Sequence, residues 1–132
     1  VKCLIVEDQF LSRRILKDLL SPHFECDIAI NGQEAVTSFQ LAHEGKRPYD
    51  LICMDIMMPV VDGYEALQQI RSMEQEKGIS QNREVKVIMI SALDDPQTVV
   101  KSFYIGGATS YLVKPVTRQK LMHEVRQLGL LQ

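Results

Sequence analysis

This chain lacks the features that would place it in several large classes of protein. Its three cysteines, Cys3, Cys26 and Cys53, are odd in number and too widely spaced for a disulfide framework or a zinc site. Each lies in or beside an apolar run, which reads as three small buried hydrophobes in a reducing cytoplasm. The histidines, His23, His43 and His123, show no paired ligand spacing either. No apolar run approaches the roughly 20 residues of a membrane span, and no leader is visible before the first apparent strand. Positive charge is not in excess. The formal net charge of -2 gives no electrostatic case for direct contact with nucleic acid. Repeats and low-complexity tracts are missing, and so is an initiator methionine, from which we expect a piece of a longer protein. These absences leave a cytoplasmic protein with no membrane partner.

What is present is the balance of a soluble globular domain. The 132 residues are 45% hydrophobic and 24% charged, enough for one domain over residues 1–132 with a single core. Strand-like and helix-like periods alternate five times. Strands are expected at 2–7, 25–30, 50–55, 85–91 and 110–113. Helices are expected after each. The first, over 10–20, carries Leu11, Ile15 and Leu19 on one stripe with Leu16 and Leu20 beside it, and stops at Pro22. Asn31-Gly32 turns the chain into the second helix, which Gly45 and Pro48 end. Tyr64, Leu67, Ile70 and Met73 mark the third. Asp95-Pro96 opens the fourth, and Gly106-Gly107 close it. Leu121, Met122, Val125 and Leu128 line the fifth. A polar stretch from Glu74 to Glu84 is a longer connection than most.

Such alternation implies right-handed crossovers and a parallel sheet covered on both faces. Strands one, three and four are the most continuously apolar. Strand two carries charge and strand five is short, so these two belong at the edges. The fold class is therefore α/β, a flavodoxin-like (βα)5 doubly wound sheet in the order 2-1-3-4-5. Its switch point lies between strands one and three.

Ligands in such sheets bind at the carboxyl ends of the strands, at the switch point. There the apolar runs end in polar groups: Glu7 and Asp8 on strand one, Asp55 on strand three, Ser91 on strand four and Lys114 on strand five. Three crowded carboxylates repel one another unless a cation offsets them. An oxygen-only set suits a hard divalent ion, Mg²⁺, better than zinc. Lys114 can pair with Asp55 when the site is empty and with a phosphoryl oxygen when it is loaded. Ser91 can donate to another such oxygen. The set describes metal-assisted phosphoryl chemistry with Asp55 as the acceptor.

These residues closely resemble the receiver domain of two-component response regulators. The resemblance rests on Glu7-Asp8, Met54-Asp55-Ile56-Met57-Met58-Pro59, Asp62-Gly63, Ser91-Ala92, Gly107-Ala108, Tyr111 and Lys114-Pro115, in order along nearly the whole chain. It implies an aspartyl-phosphate at Asp55, received from a histidine kinase or a histidine phosphotransfer protein. It implies Mg²⁺ held by Asp8, Asp55 and the backbone carbonyl of Met57, with Glu7 assisting through water. It also implies a cis peptide between Lys114 and Pro115. Ser91 and Tyr111 are implied as the switch, and the fourth helix, fifth strand and fifth helix as the output face. That face serves a downstream protein or a fused effector domain not present in this chain. The only reactions expected of the chain are its own phosphorylation and dephosphorylation. Met57 and Leu93 are apolar where they would flank the site and hinder an attacking water.

Three other readings were weighed. A Mg²⁺-dependent phosphatase working through an aspartyl-phosphate usually has a second acid two residues after the nucleophile, and Met57 stands there. A flavin site needs a loop of N–H donors after strand one, where Glu7-Asp8-Gln9 would repel phosphate. The third, a constitutive interaction domain of the same fold, would be expected to lose the acid set or Lys114.

Overall fold

The structure is a computed structural model that describes residues 1–56, 58, 61–92, 101 and 107–131. Chain order is β1 (Lys2–Val6), α1 (Phe10–Leu20), β2 (Glu25–Ala29), α2 (Gly32–Glu44), β3 (Leu51–Asp55), α3 (Gly63–Glu76), a 3-10 turn (Gln81–Arg83), β4 (Lys86–Ser91), β5 (Ser110–Val113) and a C-terminal helix (Arg118–Gln127). The strands form one parallel sheet in the order β2-β1-β3-β4-β5, as the alternation requires. The expected fourth helix lies almost wholly outside the described residues, and so does the entrance residue Leu93.

Two-residue alternation sorts the strand side chains into two layers. Leu4, Val6, Ile52, Met54, Val87 and Met89 pack with residues of α2 and α3 such as Phe39, Leu67 and Ile70. Cys3, Ile5, Leu51, Cys53, Ile88 and Ile90 pack with Leu16 and Leu20 of α1 and with Leu121 and Val125 of the C-terminal helix. Every residue of β3 is buried, whereas β2 leaves Glu25, Asp27 and Ile28 exposed at the edge. On that edge Tyr49 donates its hydroxyl to Asp27 at 2.8 Å.

Helix starts follow local chemistry. Asn31 accepts from the Glu34 N–H at 2.8 Å, Asp62 from the Glu65 N–H at 2.9 Å and Thr117 from the Lys120 N–H at 3.2 Å. Each satisfies a backbone donor that the first turn leaves free. Gly32 has a further role, because its N–H donates to the Val61 carbonyl at 3.0 Å. A Cβ at this position would collide with that carbonyl oxygen.

Two sequence expectations change. In α1 the buried residues are Leu16 and Leu20, while Leu11 is 73% and Ile15 51% exposed, so most of the chosen stripe faces outward. Gly45 closes α2 as expected, and Lys46 after it takes the left-handed turn, with φ of 60°. The stretch from Glu74 to Glu84 is not simply a surface connection. Glu74 is 1% exposed, accepts the Val85 N–H at 2.7 Å and pairs with Arg71 at 2.6 Å. Arg71 in turn donates through Nε to the Gly107 carbonyl at 3.0 Å. The buried carboxylate thus ties α3 to the entry of β4, and its partner reaches the approach to β5.

Candidate functional site

The site is built at the carboxyl ends of the strands by the same alternation that builds the layers. Glu7, Asp55 and Lys114 continue the side of β1, β3 and β5 that faces α1 and the C-terminal helix. Ser91 and Tyr111 continue the opposite side. Lys114 Nζ lies 3.2 Å from Asp55 Oδ2 and 3.4 Å from Glu7 Oε2, so one ammonium bridges two strand ends. The backbone fixes this meeting: Asp55 pairs with Ile90, Ser91 pairs with Val113, and the Lys114 N–H donates to the Ser91 carbonyl at 2.8 Å. The Lys114–Pro115 bond is cis, as the resemblance implied.

Glu7 and Asp55 are buried, at 1% and 5% exposure, and Asp8 is exposed. Glu7, Asp8 and Asp55 each offer an oxygen, and the three lie within 4.8 Å of one another. Glu7 Oε1 also accepts the Gln9 N–H at 3.1 Å. Burial raises the Glu7 carboxyl from 4.5 to about 7 despite that bond. The Asp55 charge adds to the rise and Lys114 opposes it. Burial pulls the Lys114 ammonium down, but its attraction to Asp55 and Glu7 outweighs this and holds it above its ordinary value. A proton is therefore easily kept on Glu7, chiefly because burial strips its charge of hydration, with the neighbouring Asp55 charge adding to the effect. Such a donor set fits a hard divalent cation, which would take Asp8 and Asp55 as ligands with Glu7 nearby.

Of the remaining predicted residues, Ser91 closes β4 at 1% exposure. Tyr111 lies on β5 beside Met89 and is partly buried against the α2–α3 layer. Met57, whose carbonyl the resemblance assigns to the metal, is outside the described residues. Asp62 and Gly63 form the entry to α3 rather than part of the charged cluster. Gly63 nevertheless packs directly against the end of β3: its N–H donates to the Ile56 carbonyl at 2.9 Å, and an added Cβ would lie 2.5 Å from the Asp55 carbonyl oxygen. Asp8 does not cap α1; Gln9 holds that position, without a side-chain bond. Sequence reasoning missed Arg13, which donates to the Glu7 carbonyl at 3.2 Å. Its place one turn into the helix that follows Glu7 is the signal that could have found it.

Beside this cluster opens a cleft of about 430 Å³ lined by Glu7, Ser12, Ile15, Ile90, Lys114 and Val116, among others. On its α1 wall Ile15 is 51% exposed and Leu11 on the same helix 73%, whereas Phe10 lines a separate groove with Arg13, Lys17 and Ile28. Among the described residues no helix is long and apolar enough to cross a membrane.

A doubly wound parallel sheet with an acid cluster and a lysine at its switch point defines a ligand-binding α/β domain of the flavodoxin-like class. The profile of the response regulator receiver domain matches residues 3–126, and the chain belongs to that family. It is 34% identical over 128 residues to the probable transcriptional regulator ycf27 of Cyanophora paradoxa, covering 96% of this chain and 47% of that protein. The chain thus spans about half the length of that relative. Among solved structures, it resembles the receiver domain of Saccharomyces cerevisiae Ssk1, crystallised with the histidine phosphotransfer protein Ypd1. The TM-score is 0.85 at 30% identity, covering 98% of this chain and 88% of that one. It also resembles the CheX–CheY–BeF3–Mg complex from Borrelia burgdorferi, with a TM-score of 0.82 at 32% identity over 97% of this chain and 88% of that one. The chain is a receiver domain of two-component signalling.

Proposed function

We propose that this receiver accepts a phosphoryl group on Asp55 from a phosphohistidine, in a Mg²⁺-dependent transfer, and catalyses only its own phosphorylation and dephosphorylation. The observation that carries the reading is the Lys114 ammonium held between Asp55 and Glu7, with Asp8 in reach of the same centre. In the transfer, an Asp55 oxygen attacks phosphorus as the phosphorus–nitrogen bond to the donor histidine breaks. Lys114 leaves its carboxylate partners for a phosphoryl oxygen, and the Ser91 hydroxyl donates to another. Asp8 and Asp55, with the Met57 carbonyl that the family resemblance implies, would hold a Mg²⁺ ion, which would neutralise charge on the phosphoryl oxygens. Movement of Ser91 leaves space behind it for Tyr111 and passes the change to β5 and the elements beside it. The scale is adequate. Moving an equilibrium from 1:99 to 99:1 takes roughly 5.5 kcal/mol, and hydrogen bonds to a charged group contribute roughly 1.5–3 kcal/mol each.

The donor is a histidine kinase or a histidine phosphotransfer protein. The exposed Leu11 and Ile15 on α1, with Ile15 lining the cleft beside Glu7 and Lys114, offer its helices an apolar seat. The co-crystallised Ssk1 receiver and Ypd1 support a donor of this kind. The output reaches a downstream protein or a fused effector domain in the cytoplasm.

Intact mass after incubation with acetyl phosphate and Mg²⁺ tests this reading. One added phosphoryl group is expected, absent in Asp55→Asn and after EDTA. An unmodified protein that also fails to respond to beryllofluoride with Mg²⁺ at Tyr111 would return the constitutive interaction domain as the better reading.

A further inference from the structure

Three thiols stand in a row across the sheet, on the layer away from Ser91 and Tyr111. Cys26 lies on edge strand β2, Cys3 on β1 and Cys53 on β3. Cys3 is the direct register partner of Cys26, whereas Cys53 pairs with Ile5, two residues farther along β1. All three belong to the layer beneath α1 and the C-terminal helix, and the Cys3 thiol interacts with both others. Their access differs. Cys3 and Cys53 are fully buried, while Cys26 is partly exposed at the sheet edge. All three are free thiols, and the phosphoryl chemistry uses none of them.

We infer that Cys26 and Cys3 form a peroxide-responsive pair, with Cys26 as the attacking thiol and Cys3 as the resolving one, closing a reversible cross-strand disulfide. The Cys26 thiolate attacks one peroxide oxygen and the oxygen–oxygen bond breaks, giving a sulfenic acid and hydroxide, which takes up a proton. The Cys3 sulfur then attacks the Cys26 sulfur. The sulfenic oxygen leaves as water with the Cys3 proton. Two thiols and one peroxide become one disulfide and two waters, the two electrons passing from sulfur to oxygen.

Geometry selects the pair. Neighbouring strands lie about 4.7–4.9 Å apart, inside the roughly 4.4–6.8 Å Cα separation of disulfides. Cys26 is partly exposed at the sheet edge, and exposed disulfides are the readily reduced ones, as a reversible modification needs. Roles follow from surroundings. Hydrogen bonding from the Cys3 thiol, more than anything else, holds the Cys26 thiol below its ordinary range, and the same contact pushes Cys3 up. Cys26 is thus both the accessible and the more thiolate-like member. Cys53, buried and out of register, is a built-in control.

The test treats the intact chain with stoichiometric hydrogen peroxide, blocks remaining thiols with N-ethylmaleimide and maps the peptides without reduction. A Cys3–Cys26 linked peptide is expected, with only Cys53 blocked and dithiothreitol restoring all three thiols. Cys26→Ala should slow oxidation at least ten-fold. Cys3→Ala should stop at a sulfenic acid that dimedone captures on Cys26, and Cys53→Ala should behave as the unaltered chain. The mapping of the unaltered chain does not depend on any variant folding. No linkage, or a linkage that joins Cys3 to Cys53 or one chain to another, would overturn the inference.

Discussion

Glu7 makes the metal-free protein less stable as pH rises, and the size of the effect follows from its burial. The carboxyl is 1% exposed and raised from 4.5 to about 7, first by loss of hydration. Below pH 4.5 the group is protonated in both folded and unfolded chains and has no effect. Between 4.5 and 7 the unfolded chain releases the proton and the folded one keeps it, so unfolding becomes easier. Above 7 both are ionised and the loss is complete. At ~1.4 kcal/mol per pH unit, the total is about 3 kcal/mol. His43, lowered by burial and by Lys77, contributes a slope of opposite sign, as its unfolded form binds more protons. Comparison with Glu7→Gln cancels that term, because His43 is common to both chains. Urea unfolding followed by far-UV ellipticity in EDTA, at pH 5 to 8, measures the difference. The two proteins should have similar midpoints at pH 5. By pH 8 Glu7→Gln should be the more stable by about 3 kcal/mol, a shift of about 1–3 M urea for a small domain. A difference that stays flat with pH, or a variant less stable at pH 8, would refute the claim that burial dominates Glu7.

Substitutions at four other residues separate scaffold from site. Glu74→Ala strands the Val85 N–H and Arg71, and should cost about 3–5 kcal/mol in urea unfolding, with Glu74→Gln losing less because its amide oxygen still accepts. Leu11→Asp or Ile15→Asp should slow transfer from a phosphohistidine protein at least ten-fold while acetyl phosphate labels Asp55 at the normal rate; equal slowing of both would remove the α1 stripe as the donor's seat. Gly63→Ala places a Cβ 2.5 Å from the Asp55 carbonyl oxygen and 2.8 Å from Ile56 Cα, so it should cost about 1–3 kcal/mol and weaken Mg²⁺ binding in calorimetric titration.

The strand order and the four polar strand ends were legible because both arise from short-range pattern. A buried strand must be apolar along its length, so an acid, a hydroxyl or an amine that closes one is visible in the sequence. Edge position was legible in the charges of β2 for the same reason. What stayed hidden depended on direction. Leu11, Ile15 and Leu19 make as good a stripe as Leu16 and Leu20, and periodicity gives no reason to choose between neighbouring stripes on one helix. The sheet makes the choice, and it leaves Leu11 and Ile15 outside. Glu74 was hidden because its partners, the Val85 N–H and Arg71, lie across a turn and on the preceding helical turn, where no local pattern announces a buried acid.

Glu7 and Glu74 show why burial alone does not mark a site. Both are carboxylates at 1% exposure. Glu74 receives the Val85 N–H on one oxygen and the Arg71 guanidinium on the other, so its charge is matched where it stands. Its environment asks for no further ligand, and its role ends with holding α3 against β4. Glu7 has one backbone donor and a half-share in Lys114, which Asp55 also claims, with Asp8 in reach of the same space. Three carboxylates and one ammonium leave negative charge unmatched, and that imbalance favours a cation. On the proposed reading it also accounts for release of the lysine: a cation held among the three acids would supply the positive charge that Lys114 would withdraw on turning to a phosphoryl oxygen. Exchange between two positive partners is possible at Asp55 and pointless at Glu74. The difference lies in how many acids share one positive partner, not in the depth at which the acids are buried.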